Sequence, residues 1–205
     1  MPKTCLIFAG GPENGTPCLP LPQGYVICAD SGLRLAERLH IAPDLVLGDF
    51  DSLGAVPEQY PHMTVPVEKD DTDTLLAART ALDMGFDDIF ICGAFGGRLD
   101  HTLANIQTLE FLHEHGASGV LTGSENYAYL QGAGTRRYPR IDGFSFSVLA
   151  WSPRCTGVTL SGVYYPLENS TLTRSFPLGV SNHITAEAAE VTCKEGILLV
   201  IGSRL

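Results

Sequence analysis

The sequence predicts a two-part fold: an α/β domain built on a parallel sheet, followed by a small antiparallel β-sandwich. Three observations carry this. Up to about residue 122 short apolar runs alternate with helical patterns, beyond residue 130 helical windows give way to two-residue alternation, and the charge divides at the same place. Strands alternating with helices imply a parallel sheet covered on both faces. Alternation without helices implies half-buried antiparallel strands.

In chain order, strands are expected at residues 5–9, 25–29, 44–47, 89–92 and 119–122, each an apolar run bounded by Gly, Pro or Asp. Helices are expected at 32–40, 74–84 and 101–115. The last carries Leu103, Ile106, Leu109 and Leu112 at helical spacing, with Gly116 as its stop and Gly85 ending the helix before it. Beyond the composition shift at residues 122–135, the runs 144–148 and 189–194 alternate strictly between apolar and polar residues. These patterns set the expected domains at 1–128 and 129–205. About 75 residues is marginal for a lone β domain, so the second part is expected to lean on its neighbour or on another subunit.

Hydrophobic residues make up 44% of the 205, which suits a chain that buries a core and excludes disorder. No apolar run approaches the ~18 residues of a membrane span. The opening MPKTCLIFAGG reads as a strand running into glycine rather than a signal peptide, so a cytoplasmic protein with no membrane association is expected. Residues 1–130 hold 18 acidic side chains against 6 basic ones, and residues 131–205 hold 5 against 7, giving the net charge of −10. There is no basic stripe for nucleic acid. An acidic N-terminal part suits a divalent cation or a cationic ligand. The 6 cysteines form no C-x-x-C pair and sit mostly in apolar runs, so they are expected as reduced, buried thiols rather than as a disulfide framework or zinc site.

Neither common phosphate loop, G-x-x-x-x-G-K-[ST] or G-x-G-x-x-G, occurs, and neither does G-x-S-x-G. Aspartates at strand ends stand in their place. Asp30 follows YVICA, Asp49 and Asp51 follow DLVLG, Asp70, Asp71 and Asp73 open a helix, and Asp100 opens another after GAFGGR. A parallel sheet brings all of these to one edge. Aspartate is also a common helix N-cap, and that use competes for any one of them taken alone. Gathered together they would repel, and a hard divalent cation such as Mg²⁺ relieves the repulsion while holding phosphate oxygens. Lys69 and Arg98, beside these groups, suit phosphate, with surface ion pairing as their plain alternative. Gly93, Gly96 and Gly97 allow a backbone to approach a ligand closely. The histidines show no metal spacing, and His101 reads as a helix-capping residue.

Taken together these segments resemble the thiamine pyrophosphokinases (thiamine diphosphokinases). The likeness runs nearly the full chain: ADSG at 29–32, PDLVLGDFDSL at 43–53, KDDTD at 69–73, GGRLDHTLAN at 96–105, GVYYPL at 162–167, VSN at 180–182 and EGILLVI near the C-terminus. The resemblance implies an α/β nucleotide-binding domain followed by a thiamine-binding β-sandwich, working as a homodimer. It implies transfer of pyrophosphate from ATP to the hydroxyl of thiamine, releasing AMP, with Mg²⁺ as cofactor. Asp49, Asp51 and Asp73 then correspond to the metal-binding carboxylates, with Asp30 nearby. Lys69, Asp70, Thr72, Arg98 and Asp100 correspond to the phosphate and nucleotide site, Arg98 and Asp100 also being catalytic. Ser181 and Asn182 correspond to the thiamine-contacting pair. Tyr165 is expected to wall the thiamine rings, with plain strand packing as its alternative.

Three other classes compete. A D-x-D nucleotide-sugar transferase would also use Mg²⁺ on an α/β sheet. An aspartyl phosphatase would need D-x-D-x-T, and Leu53 stands where the threonine belongs. A non-catalytic sensor on the same fold has no need of Asp49, Asp51, Asp73, Arg98 and Asp100 together.

Overall fold

The computed structural model describes residues 3–12, 16–55, 58–65 and 71–205. The chain divides into two compact units, Met1–Glu125 and Asn126–Leu205.

The first unit contains β1 (Thr4–Phe8), β2 (Tyr25–Ala29), α1 (Gly32–Arg38), β3 (Leu45–Gly48), β4 (His62–Thr64), α2 (Asp73–Asp83), β5 (Asp88–Cys92), α3 (Leu99–Glu114) and β6 (Ser118–Thr122). Its strands lie in the order β4-β3-β2-β1-β5-β6, and every pair is parallel. The side-chain period of two sends Leu6, Phe8, Val26, Cys28 and Val46 to one face, where Leu33, Leu35 and Ala36 of α1 cover them. The opposite face carries Cys5 and Ile89, paired in register with each other, and Gly119, paired with Ile89. A Cβ on Gly119 would lie 2.8 Å from Leu109 and 3.0 Å from Leu112, so α3 packs on that face. Both faces are therefore covered, as the alternating elements predict.

Helix ends follow their local chemistry. Gly85 (φ 81°) and Gly116 (φ 76°) take the left-handed conformation that ends α2 and α3, with the Phe86 and Ala117 N–H groups donating back to Ala81 and Leu112. The expected apolar stripe of α3 holds at Ile106, Leu109 and Leu112 but not at Leu103, which is half exposed. Asn105 and Thr108 are buried instead: Asn105 lines the cavity beside α3, and the Thr108 hydroxyl donates to the Ala104 carbonyl of its own helix at 3.1 Å. β4 goes unread in the sequence: HMT is three residues long and exposed throughout, so no burial pattern marks it.

The second unit contains β7 (Asn126–Gln131), β8 (Gly134–Pro139), β9 (Phe144–Ala150), β10 (Arg154–Ser161), β11 (Leu167–Thr173), β12 (Ala188–Cys193) and β13 (Leu198–Arg204). β13 pairs antiparallel with β7 and β9, and a second antiparallel sheet runs β11-β10-β12-β8. Residues from both sheets, among them Phe146, Val148, Val158, Leu160, Val191 and Val200, form one core, which makes the unit a sandwich. Buried Gln131 ties the sheets by accepting from the Tyr138 hydroxyl (2.9 Å) and donating to the Val191 carbonyl (2.9 Å). All six cysteines are free, and five are buried. Burial pushes the Cys5 thiol up to about 12, so it is inert near neutral pH.

Candidate active site

The first unit encloses a cavity of about 520 Å³ at the carboxyl ends of its strands. Its walls are residues 9–12 after β1, Asp30 and Ser31 after β2, Asp49 and Ser52 after β3, and residues 93–98 after β5, closed by Thr72, Asp73 and Asn105. β1 has β2 on one side and β5 on the other, so the chain reverses its direction of progress across the sheet there. Open α/β sheets bind ligands at such a crevice.

Two carboxylates meet through a strained turn. Phe50 takes φ 61°, costly for a bulky residue, and its 3%-exposed side chain packs into the α1-side core. That buried anchor holds the turn, in which the Asp51 N–H donates to Asp49 Oδ1 at 3.1 Å. Asp30 also takes a left-handed conformation, φ 45°. One oxygen each from Asp30, Asp49 and Asp51 lie within 4.8 Å of one another. Asp30 is only 7% exposed, and its Oδ1 finds no hydrogen-bond partner among the described residues. Buried carboxylate oxygens are ordinarily paired, so this one marks a place for a cationic group.

The other expected residues fall as follows. Asp73 opens α2 and lines the cavity, but it is not one of the three carboxylates that meet. Thr72 caps that helix, its Oγ1 accepting from the Leu75 N–H at 3.2 Å. Asp71, just ahead of α2, is engaged by Arg79 of that helix, Nε to Oδ2 at 3.1 Å. Lys69 and Asp70 lie outside the described residues. Arg98, the N-cap of α3, donates to Asp100 from Nε (3.1 Å, to Oδ1) and from Nη2 (to Oδ2). Those bonds, chiefly, hold the Asp100 carboxyl below its usual range, with a further bond from the His101 N–H. The same pairing raises the guanidinium. The loop before Arg98 turns on Gly93 (φ 69°), Gly96 (φ 83°) and Gly97 (φ 64°).

Sequence reasoning gave no role to Asn105. Its Nδ2 donates to the Ala94 carbonyl at 2.8 Å from a buried position, fixing the loop that carries Arg98. On the far side of that loop the Gly11 N–H donates to the Gly93 carbonyl at 3.0 Å. A Cβ on Gly11 would lie 2.1 Å from that oxygen, which explains the glycine after the first strand.

In the second unit Ser181 is exposed and left-handed (φ 61°), its N–H donating to Ser147 Oγ at 3.1 Å. Asn182 is 4% exposed. Its Oδ1 accepts from the Tyr165 N–H (3.0 Å) and the His183 N–H (2.9 Å), and its Nδ2 donates to the Tyr165 carbonyl (2.8 Å). Tyr165 is 62% exposed, so it is not a packed strand residue.

A sheet crevice with converging carboxylates, a glycine loop and an arginine at its edge belongs to an α/β fold of the nucleotide-handling class, here followed by a β-sandwich. Two family models match in the same order, "Thiamin pyrophosphokinase, catalytic domain" over residues 22–120 and "Thiamin pyrophosphokinase, vitamin B1 binding domain" over residues 138–198. The thiamine pyrophosphokinase of Bacillus subtilis is 31% identical over 98% of this chain and 99% of its own. The crystal structure of the Bacillus subtilis enzyme superposes with a TM-score of 0.89, at 30% identity, over 99% of this chain and 100% of the other. That of Geobacillus thermodenitrificans gives a TM-score of 0.84 at 25% identity over 98% of both chains. The chain belongs to the thiamin pyrophosphokinase family, whose reaction transfers pyrophosphate from ATP to the hydroxyl of thiamine and yields thiamine diphosphate and AMP. Among the described residues no helix is long and apolar enough to cross a membrane.

Proposed function

We propose that the crevice of the first unit binds MgATP, and that the second unit supplies the thiamine site. The observation that carries this reading is the meeting of Asp30, Asp49 and Asp51 within 4.8 Å, with a buried Asp30 oxygen left unpartnered among the described residues. An all-oxygen, all-carboxylate donor set fits a hard divalent cation. Asp30, Asp49 and Asp51 would hold Mg²⁺, with Asp73 beside them on the same cavity. Bound there, the ion would neutralise phosphate charge.

The protein's own groups do the rest. The glycine turns at residues 93–97 let backbone come close to the phosphates, and Asn105 keeps that loop in place. In the reaction the thiamine hydroxyl gives up its proton to water and its oxygen bonds to the β-phosphorus as the bond from that phosphorus to the α–β bridging oxygen breaks, and AMP leaves. Charge builds on the transferred group and the departing oxygen. The Arg98 guanidinium, released from Asp100, stabilises it with a planar pair of donors. Asp49, Asp51, Asp73, Arg98 and Asp100 are thus the catalytic set, with Thr72 toward the nucleotide and Ser181, Asn182 and Tyr165 toward thiamine; Lys69 and Asp70, outside the described residues, keep the nucleotide role that the family resemblance implies.

The proposal extends to a cytoplasmic homodimer, in which one subunit's β-sandwich serves its partner's crevice. The small size of the second unit and its exposed Tyr164, Tyr165, Phe176, Leu178 and Val180 support an interface. Mixing an Asp51→Asn chain with a Tyr165→Ala chain tests it. Two weak variants should regain up to about a quarter of the full activity on subunit exchange, since half the dimers are hybrid and each hybrid keeps one intact site. No recovery despite exchange puts each site within one chain.

Incubation with thiamine and MgATP tests the function itself. The expected product beside thiamine diphosphate is AMP; inorganic phosphate would mark a phosphatase, and neither would mark a sensor.

A further inference from the structure

We propose that Arg34 is a positioning residue for the carboxylate cradle: its guanidinium, reaching from α1, grips the Ser52 carbonyl and braces the turn that carries Asp49 and Asp51 against the helix that follows Asp30. The inference rests on the reading of those three aspartates as a divalent-cation site. It adds to them a residue that touches neither ion nor phosphate.

The cradle is assembled from two separate pieces of chain. Asp30 follows β2 and leads into α1, whereas Asp49 and Asp51 follow β3. The helix is a fixed post: Leu33, Leu35 and Ala36 are buried in the core, and a Cβ on Gly32 would run into the Phe8 carbonyl. The two pieces meet first through backbone, where the Asp30 N–H donates to the Leu47 carbonyl at 2.7 Å. Beyond that bond the turn after β3 leaves the sheet. Phe50 and Leu53 pack toward the α1-side core, and the Gly54 N–H donates to the Phe50 carbonyl at 3.0 Å. Between those two apolar anchors stands Ser52, whose carbonyl accepts from Arg34 Nη2 at 2.6 Å. The Ser52 hydroxyl in turn donates to Asp51 Oδ1 at 3.0 Å, and the Asp51 N–H donates to Asp49 Oδ1 at 3.1 Å. One chain of hydrogen bonds thus runs from α1 to both carboxylates of the turn.

Arg34 stands about one helical turn past Asp30, so one side chain spans from the piece that holds Asp30 to the piece that holds the other two. Its bond goes to a neutral carbonyl. A guanidinium paired directly with Asp49 or Asp51 would compete with a metal for the same oxygens. Bonded to Ser52 instead, it fixes the turn and leaves those carboxylates to a cation. Asp49 and Ser52 line the cavity, and Arg34 lies outside its wall. A strained residue such as Phe50 (φ 61°) persists only where its surroundings over-determine it, and Arg34 supplies a polar hold beside the apolar ones. The charge of Arg34 works in the opposite sense, since one cation repels another. Arg34 is exposed, so solvent and salt reduce that repulsion to about a factor of two in metal affinity. Bracing and charge therefore predict opposite signs when the side chain is removed.

The test uses the full chain, first without metal and then with Mn²⁺ alone, a hard divalent probe whose free concentration is read by electron paramagnetic resonance. Binding at the cradle is the part that Asp51→Asn abolishes. Arg34→Met should weaken that part about threefold or more, because the lost hydrogen bond outweighs the screened charge. Arg34→Lys keeps a charge and a shorter donor, and it should recover part of the loss. Tighter or unchanged Mn²⁺ binding in Arg34→Met would overturn the brace. Without metal, the Asp51 and Gly54 N–H groups should exchange with solvent about five- to tenfold faster in Arg34→Met, while the Ile7 N–H in the sheet keeps its rate. Unchanged exchange at both would also overturn it. In turnover, Arg34→Met should raise the Mg²⁺ needed for half-maximal AMP formation and hold kcat at saturating Mg²⁺ within about twofold. A fall in kcat with an unchanged Mg²⁺ requirement would make Arg34 a substrate contact and end the positioning role. Failure of the unsubstituted protein to bind Mn²⁺ in a way that depends on Asp51 would instead remove the cation reading, and the metal-free exchange rates would still decide whether Arg34 braces the turn.

Discussion

Asp30 and Asn182 are buried to nearly the same degree, 7% and 4% exposed, one in each unit. Their polar atoms stand in opposite states. Asp30 keeps a carboxylate oxygen with no partner among the described residues, whereas Asn182 commits three of its four hydrogen-bonding sites to backbone. Burying an unpaired charge lowers stability, and burying a satisfied amide raises it. The first unit therefore keeps a buried carboxylate oxygen unpaired among the described residues, and the second keeps a buried amide committed to its own backbone. Stability and function should trade against each other at Asp30 and run together at Asn182.

The sharpest break of this contrast is in the carboxylate cradle. Asp30→Asn and Asp51→Asn should each lower AMP formation by about two orders of magnitude or more, since charge neutralisation dominates phosphoryl chemistry. Asp30→Asn should also unfold at the same or a higher temperature than the unsubstituted protein without metal, because it removes one of three mutually repelling charges. Near-normal turnover of either variant at limiting Mg²⁺, or a clear loss of metal-free stability in Asp30→Asn, would end the comparison as drawn.

Next in size is Arg98→Lys, which should lose about ten- to a hundredfold in kcat with a smaller change in the Michaelis constant for ATP. Lysine keeps the charge but not the planar fork. A change confined to the Michaelis constant would reduce Arg98 to an anchor for bound ATP.

How much of this was legible beforehand differs between the units for a physical reason. Periodicity exposed every strand of the first unit except β4, because buried runs such as YVICA and TCLIF announce themselves while an exposed edge of HMT does not. Strand-end aspartates were legible because a parallel sheet sends all its carboxyl ends to one edge. Which three of them meet was not, since that depends on left-handed turns at Asp30 and Phe50 that side-chain pattern alone does not encode. The spacing Asp49-x-Asp51 was visible; that an Asp30 oxygen lies within 4.8 Å of theirs needed coordinates. Asn105 and Asn182 were the hardest to read. Both work by hydrogen bonds to backbone 11 and 17 residues away, which leave no periodic trace.

Asn105 gives a middle-sized prediction. Asn105→Ala leaves the Ala94 carbonyl unpaired in a buried place, a loss of about 1–3 kcal/mol in urea unfolding. Turnover should fall as well, because the loop holding Arg98 loses its tie to α3. Unchanged stability would mean that water replaces the amide.

The smallest expected effect concerns Asp100, where the first unit behaves like the second by keeping its groups paired. Arg98 hydrogen bonds, followed by the His101 N–H bond, depress the folded-state pKa of Asp100 below the ordinary aspartate value. A depressed acid contributes stability at pH above its unfolded value, and loses it as pH falls through the folded pKa. Both side chains are mostly in solvent, at 73% and 63% exposure, so water and salt screen the pair. Asp100→Asn should therefore leave the thermal midpoint at neutral pH unchanged within measurement scatter. The pairing shows instead in the titration of the Asp100 carboxyl followed by NMR. Its midpoint should lie below the usual aspartate range in the ligand-free protein and rise in Arg98→Ala, while the His101 N–H bond keeps it from returning the whole way. Adding ATP with Mg²⁺ should also raise it, because a phosphate that recruits the guanidinium leaves Asp100 without its main partner. A midpoint that ignores both Arg98→Ala and the nucleotide would show that Arg98 is not held by Asp100 in the resting site. Arg98 would then meet phosphate unguarded, and the contrast between an unpaired Asp30 and a paired Arg98 within one crevice would fail.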